Sequence, residues 1–165
     1  MTDSNASRAQ MDLLLRRVDE LESREAIREL VADYCLGFDN HDLERFISIW
    51  HEDAVWEIGP PFGTFKHQDG IRKAVDKILH PVWRETHHLA SNLRLTFTDK
   101  DHARGISDVD CMGATKDDVV QMISASYRDD FERRNGVWKI ARRIVTIHYF
   151  NPIPGAKMTS PGSAD

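Results

Sequence analysis

Three residues of this chain have the chemistry to move protons or hold charge away from water: Asp39, His88 and Arg143. Imidazole is the side chain that takes up or releases a proton near neutral pH. A carboxylate can orient an imidazole, and a guanidinium inside an apolar hollow can stabilise a developing negative charge. Taken singly, each has an ordinary reading. An aspartate shortly after a glycine that ends a helix is commonly a turn residue, and a histidine in a strand commonly makes a structural hydrogen bond. Arg143 sits in an alternating run, Val137, Lys139, Ala141, Arg143, Val145, Ile147 and Tyr149, whose face is otherwise apolar from Ala141 onward. Its head either snorkels to water or lies in a cavity. Neighbouring residues of a strand point to opposite faces, and neither H-x-x-H nor H-E-x-x-H spacing accompanies His87-His88, so no metal site is expected. Cys111, beside Asp110, has no reactive context in the sequence.

The elements that must position these groups follow from hydrophobic spacing. Residues 1–9 are small and polar and are expected to be a flexible start. From Gln10 to Leu36 apolar residues fall at helical intervals in two groups: Leu14, Val18 and Leu21, then Ile27, Leu30, Val31 and Tyr34. Ser23 is placed to cap the second group and Gly37 to stop it, which leaves Asp39 just outside the helix end. A short helix over Asp42–Trp50 is expected next. A strand over Ala54–Ile58, a turn at Gly59-Pro60-Pro61 and a helix over Gln68–Leu79, stopped by Pro81, come after it. Beyond Pro81 the period becomes two. Leu93, Leu95 and Phe97 alternate with polar residues, and strands over Ala103–Met112, Val119–Glu132 and Val137–Phe150 are expected. Asn135-Gly136 is the strongest hairpin signal. Residues 151–165 read as a Pro/Gly-rich tail, and 10–150 as a single domain. Helices followed by a run of strands indicate an α+β fold: a cone-shaped, curved antiparallel sheet with helices on its concave face, enclosing a pocket. His88 is an even position whereas the apolar residues after it are odd. Either both faces are covered or a bulge near Ala90–Ser91 resets the alternation.

Composition narrows the function classes. With 165 residues, 41% of them hydrophobic and 30% charged, the chain can bury a core, and it is not of disordered composition. Its net charge is −5 with basic residues scattered, which argues against nucleic acid as a partner. No apolar run suggests a membrane span, and no signal-peptide pattern opens the chain, so a cytoplasmic location is expected. The two cysteines, Cys35 and Cys111, are expected as free thiols.

Several blocks in order carry a resemblance: Ser23-Arg24-x-Ala26-Ile27, Gly37-x-Asp39, Ser48-Ile49-Trp50, Glu85-Thr86-x-His88 and Asn92-Leu93-Arg94-Leu95. They continue with Gly105-Ile106-x-Asp108-Val109, Glu132-Arg133-Arg134-x-Gly136-Val137-Trp138-Lys139 and Tyr149-Phe150. Over about residues 22–154 the chain resembles the SnoaL-like branch of the nuclear-transport-factor-2-like superfamily, nearest its dehydrochlorinase members and further from its dehydratases.

That resemblance implies a lyase without a cofactor. Asp39 and His88 match a catalytic dyad, and Arg143 an active-site arginine. Trp56, Val109, Cys111, Tyr127 and Ile147 match pocket positions, the substrate being an apolar cyclic small molecule. It also implies a homo-oligomer, with a trimer favoured over a dimer. One position departs: where dehydrochlorinase members carry lysine, this chain has Tyr34. A bile acid dehydratase likewise has tyrosine five residues before its aspartate. A halide leaves as a stable anion, whereas hydroxyl needs a proton or a strong hydrogen bond, which a phenol supplies. Tyr34 thus tilts the expectation toward dehydratase-like elimination of water. An isomerase, a polyketide cyclase and a non-catalytic binding module remain as alternatives, because fold alone does not give function.

Overall fold

A computed structural model describes residues 2–159, with side chains from residue 5 onward. In chain order the elements are α1 (Thr2–Asp39), α2 (Leu43–Ser48), β1 (Trp50–Gly59), β2 (Gly63–Lys66) and α3 (His67–Ala74). A π-helical turn, Val75–Leu79, follows. Then come β3 (Trp83–Phe97), β4 (His102–Thr115), β5 (Val120–Arg134) and β6 (Val137–Pro152). The fold is α+β as expected. The sheet is not wholly antiparallel, however. Its order is β2-β1-β6-β5-β4-β3, and β1 runs parallel to β6. Tight turns announce antiparallel neighbours in a sequence, whereas the distant β1–β6 pairing has no such local signal.

The N-terminal helix differs from its expected form. It is one helix from Thr2, because no proline or glycine interrupts the segment before Gly37. Residues 2–9 are helical rather than loose. Ser23 caps nothing; it is buried mid-helix beside the Arg133 guanidinium, with Nη1 3.4 Å from its hydroxyl. Gly37 is inside the helix, where a Cβ would lie 2.8 Å from the Phe46 backbone nitrogen, so only glycine lets α2 approach this closely. The helix ends two residues later, and Asp39 is its last residue.

Most expected strands are present and longer than expected, whereas β2 was not expected at all. Asn135 and Gly136 take φ of 53° and 81°, as the hairpin reading requires. Of the two alternatives the parity of His88 left open, the structure shows a bulge, between Ser91 and Arg94, with Asn92 at φ 56°. It turns Thr86, His88 and Ala90 inward on one side of the break, and Leu93, Leu95 and Phe97 inward on the other. The last strand also switches faces. Asp130 pairs with Arg142 but Phe131 with Ile140, so Ala141 is bulged. Trp138 and Ile140 are therefore inward before that point, and Arg143 after it, rather than one unbroken odd-numbered face. The tail beyond β6 is tied down at Ile153, whose N–H donates to the Val120 carbonyl at 2.8 Å. Residues 160–165 lie outside the described residues. Among the described residues no helix is long and apolar enough to cross a membrane.

Candidate active site

The last residue of α1 meets the edge strand β3 in three hydrogen bonds. His88 Nδ1 lies 2.6 Å from Asp39 Oδ1, and the His88 backbone N–H donates to Asp39 Oδ2 at 2.7 Å. The Thr86 hydroxyl donates to Asp39 Oδ1 at 2.7 Å. An edge strand carries N–H groups with no neighbouring strand to take them, so the carboxylate satisfies one of these while it holds the ring. Both side chains are mostly buried, at 12% exposure for His88 and 16% for Asp39. Burial works to raise the Asp39 pKa, but the bonds and charge of His88 together with Thr86 outweigh it and hold the carboxyl below the usual aspartate range. With Nδ1 occupied, Nε2 is the ring nitrogen left for chemistry. Phe38 and Tyr34 fix the ring by edge-on contacts, at centroid distances of 5.2 and 6.2 Å.

His88 borders a cavity of about 110 Å³ between the helices and the sheet. Of the residues expected there, Tyr34, Trp56, Val109, Cys111, Tyr127 and Ile147 all line it with His88. Sequence reasoning did not foresee Phe38, Phe62, Trp83 or Thr86 in the same wall. Thr86 had a signal: two residues before His88 in a strand, it shares that residue's face. Phe150 also lines the cavity while Tyr149 does not, because a second irregularity in β6 falls between them and Ile147. Burial pushes the Cys111 thiol up to about 12, so it is a wall residue and not a ready nucleophile.

Arg143 is buried but does not border the cavity. Its guanidinium packs against the rings of both Tyr34 and Tyr127, 4.2 Å from each centroid. Nε and Nη2 donate to the two oxygens of Asp129, both at 2.7 Å. Neither side chain has any exposure. Burial opposes the charged form of Arg143, but the Asp129 carboxylate outweighs that and drives its pKa further up. The snorkelling reading is thus excluded, and the cation stands one layer behind the cavity with its counter-charge supplied by the protein. Nη1, together with the indole N–H of the adjacent Trp56, has no hydrogen-bond partner among the described residues. Burial pushes the Tyr34 phenol up to about 12, with the Arg143 charge partly opposing, and burial raises Tyr127 as well. Both phenols therefore stay protonated and can serve as donors.

A family model for the SnoaL-like domain matches residues 19–144. The chain belongs to the SnoaL-like family. Hexachlorocyclohexane dehydrochlorinase 1 of Sphingobium indicum is 37% identical over 147 residues, covering 88% of this chain and 95% of that protein. The crystal structure of a hexachlorocyclohexane dehydrochlorinase, LinA type 2, superimposes with a TM-score of 0.85 at 37% identity, covering 88% of this chain and 99% of that one. A scytalone dehydratase-like protein from Novosphingobium aromaticivorans gives 0.76 at 21% identity, covering 90% and 99%, and at that identity shows the shared fold alone. The SnoaL-like match includes Asp39, His88 and Arg143.

Proposed function

We propose that this chain is a lyase needing no cofactor, which removes a carbon-bound proton from a mostly apolar cyclic molecule and expels the neighbouring group. One observation carries the reading: an imidazole held at 2.6 Å by a carboxylate at the wall of an apolar cavity. His88 Nε2 takes the proton. The electron pair of the broken C–H bond becomes the new carbon–carbon π bond, and the carbon–leaving-group pair departs with that group. Asp39 holds the ring in the tautomer with Nε2 free and stabilises the imidazolium that results.

The leaving group is assisted by Tyr34, backed by Arg143. Two features favour hydroxyl over halide within this elimination class. The Tyr34 phenol lines the cavity and stays protonated, so it can donate a hydrogen bond to a departing oxygen, and the Arg143 charge is already matched by Asp129. Similarity to hexachlorocyclohexane dehydrochlorinases supports elimination from a ring, and a halide is the simpler alternative. Purified protein incubated in deuterated buffer with gamma-hexachlorocyclohexane, and separately with hydroxylated cyclic compounds, tests both. Release of chloride or water with formation of an alkene is expected, together with its abolition in His88→Ala with the fold kept, read by circular dichroism. Retained turnover in that variant rejects the assigned base. Deuterium entering the substrate with no group released identifies an isomerase or cyclase instead.

A further inference from the structure

Two histidines outside the proposed dyad meet beside the cavity wall. His41 stands in the turn after α1, and His80 closes the π-helical turn. Their rings lie 4.2 Å apart between centroids with 32° between planes, stacked rather than edge-on. The His80 ring also packs on Phe38 at 4.8 Å, and Phe38 packs on the His88 ring at 5.2 Å. Phe38, Leu79 and Trp83 all line the cavity. The His80 N–H donates to the Val75 carbonyl at 2.9 Å, and the Trp83 N–H donates to the His80 carbonyl at 3.2 Å. His80 is thus joined to the cavity by one ring contact and by its neighbours on both sides in the chain.

The pair suits the neutral state of His80. Its Nε2 is buried with no hydrogen-bond partner among the described residues. Left as a bare lone pair, that atom costs less than it would as a charged N–H with no acceptor. Burial first, and the neighbouring His41 second, hold the His80 pKa below the ordinary histidine value. The Phe38 carbonyl and the Asp76 charge pull the other way and do not prevail. Asp76 is itself paired with Lys77, Asp42 beside His41 with Arg45, and His88 beyond Phe38 with Asp39. Stacked rings hold their in-plane lone pairs side by side rather than converging. Among the described residues no third His, Cys, Asp or Glu completes a metal site with them. The ligand this pair responds to is a proton. We propose that His41 and His80 form an acid-operated latch on the cavity: in acid His80 becomes charged, turns its ring out to water, and releases Phe38, Leu79 and Trp83 from their places in the wall. A histidine with a lowered folded value favours the closed arrangement above its ordinary value, and that contribution is lost as pH falls through the folded one.

NMR of the full chain between about pH 8 and about pH 5, the span in which histidine changes charge, tests the latch. The neutral fluorophore N-phenyl-1-naphthylamine reports on the cavity in parallel. In the wild type the Phe38, Leu79 and Trp83 resonances move with the same midpoint as the His80 ring. Affinity for the probe falls about 10-fold toward acid, and by reciprocity the bound probe makes His80 harder to protonate. His41→Phe keeps a ring in the stack at an exposed position, where folding is not at stake. It moves the transition to higher pH, because one opposing charge is gone. His80→Phe loses most of the fall in affinity, and what remains belongs to His88, which both variants keep. Wall resonances that ignore the His80 titration, a His41→Phe transition that stays put or moves toward acid, or a His80→Phe protein that loses affinity as the wild type does overturns the proposal. If the probe does not bind, the resonances decide alone. No readout here requires turnover, so the outcome is independent of the proposed reaction.

Discussion

Asp39 is the residue whose replacement separates holding the base from merely filling space. Asp39→Asn keeps the volume but removes the charge that stabilises an imidazolium. Turnover should fall about 10²–10⁴-fold while binding of an apolar ring, followed by intrinsic tryptophan fluorescence, is retained. The same carboxyl makes a pH prediction. It binds its proton less readily in the folded chain than the ordinary value of 3.8 would give, so it favours folding above that pH. That contribution is lost as pH falls through the lower folded value. Urea unfolding at neutral pH should therefore show the wild type more stable than Asp39→Asn, with the gap closing in acid. Arg143→Met should cost about 3–5 kcal/mol, because Asp129 would be left buried and unpaired, and Arg143→Met/Asp129→Leu should recover much of that loss. At this scale the sequence was only partly legible. Asp39 and His88 stand 49 residues apart, and no local pattern pairs them; only resemblance did. Asp129, on an otherwise charged stretch of strand, gave no sign of being the one acid turned inward.

Elements were easier to read than their ends. Periods of 3.6 and two recovered the helices and the four long strands, because a half-buried helix or strand must show them. Boundaries failed where tertiary contact overrode local signals, as at Gly37, which permits close packing of two helices rather than ending one. Gly37→Ala should force α2 away from α1 and destabilise the fold by about 1–3 kcal/mol, read as a lower melting temperature. Bulges were the other obstacle. One in β3 was among the two arrangements that the opposite parity of His88 and Leu93 allowed, the other being a strand covered on both faces. The one at Ala141 was not foreseen, since Arg143 appeared in phase with its neighbours when counted from the hairpin. Asn92 holds the β3 bulge at a positive φ that a β-branched residue resists. Asn92→Val should thus lower turnover by turning His88 off its bearing, whereas Asn92→Gly should be tolerated.

For the whole molecule, composition and net charge set what can reach the cavity. The protein is acidic overall, yet the walls around His88 are mainly aromatic and aliphatic. A neutral apolar substrate gains nothing from the long-range field, so kcat/KM should barely change as salt rises from low to physiological strength. A steep fall with salt would instead point to an anionic substrate drawn by unscreened charge. The enclosing α+β architecture was legible from the order of elements. The volume and outline of the hollow were not, because they depend on how side chains from five strands and two helical segments interlock.

The bond from the His88 main chain to Asp39 gives the acid a second task. Because β3 is the outermost strand on its side of the sheet, an amide left bare there would invite a foreign strand to zip alongside. Chains carrying Asp39→Ala should therefore be more prone to forming fibrils or aggregates on storage as well as inactive. A carboxylate tuned for proton chemistry would thus double as a guard on the protein's own solubility.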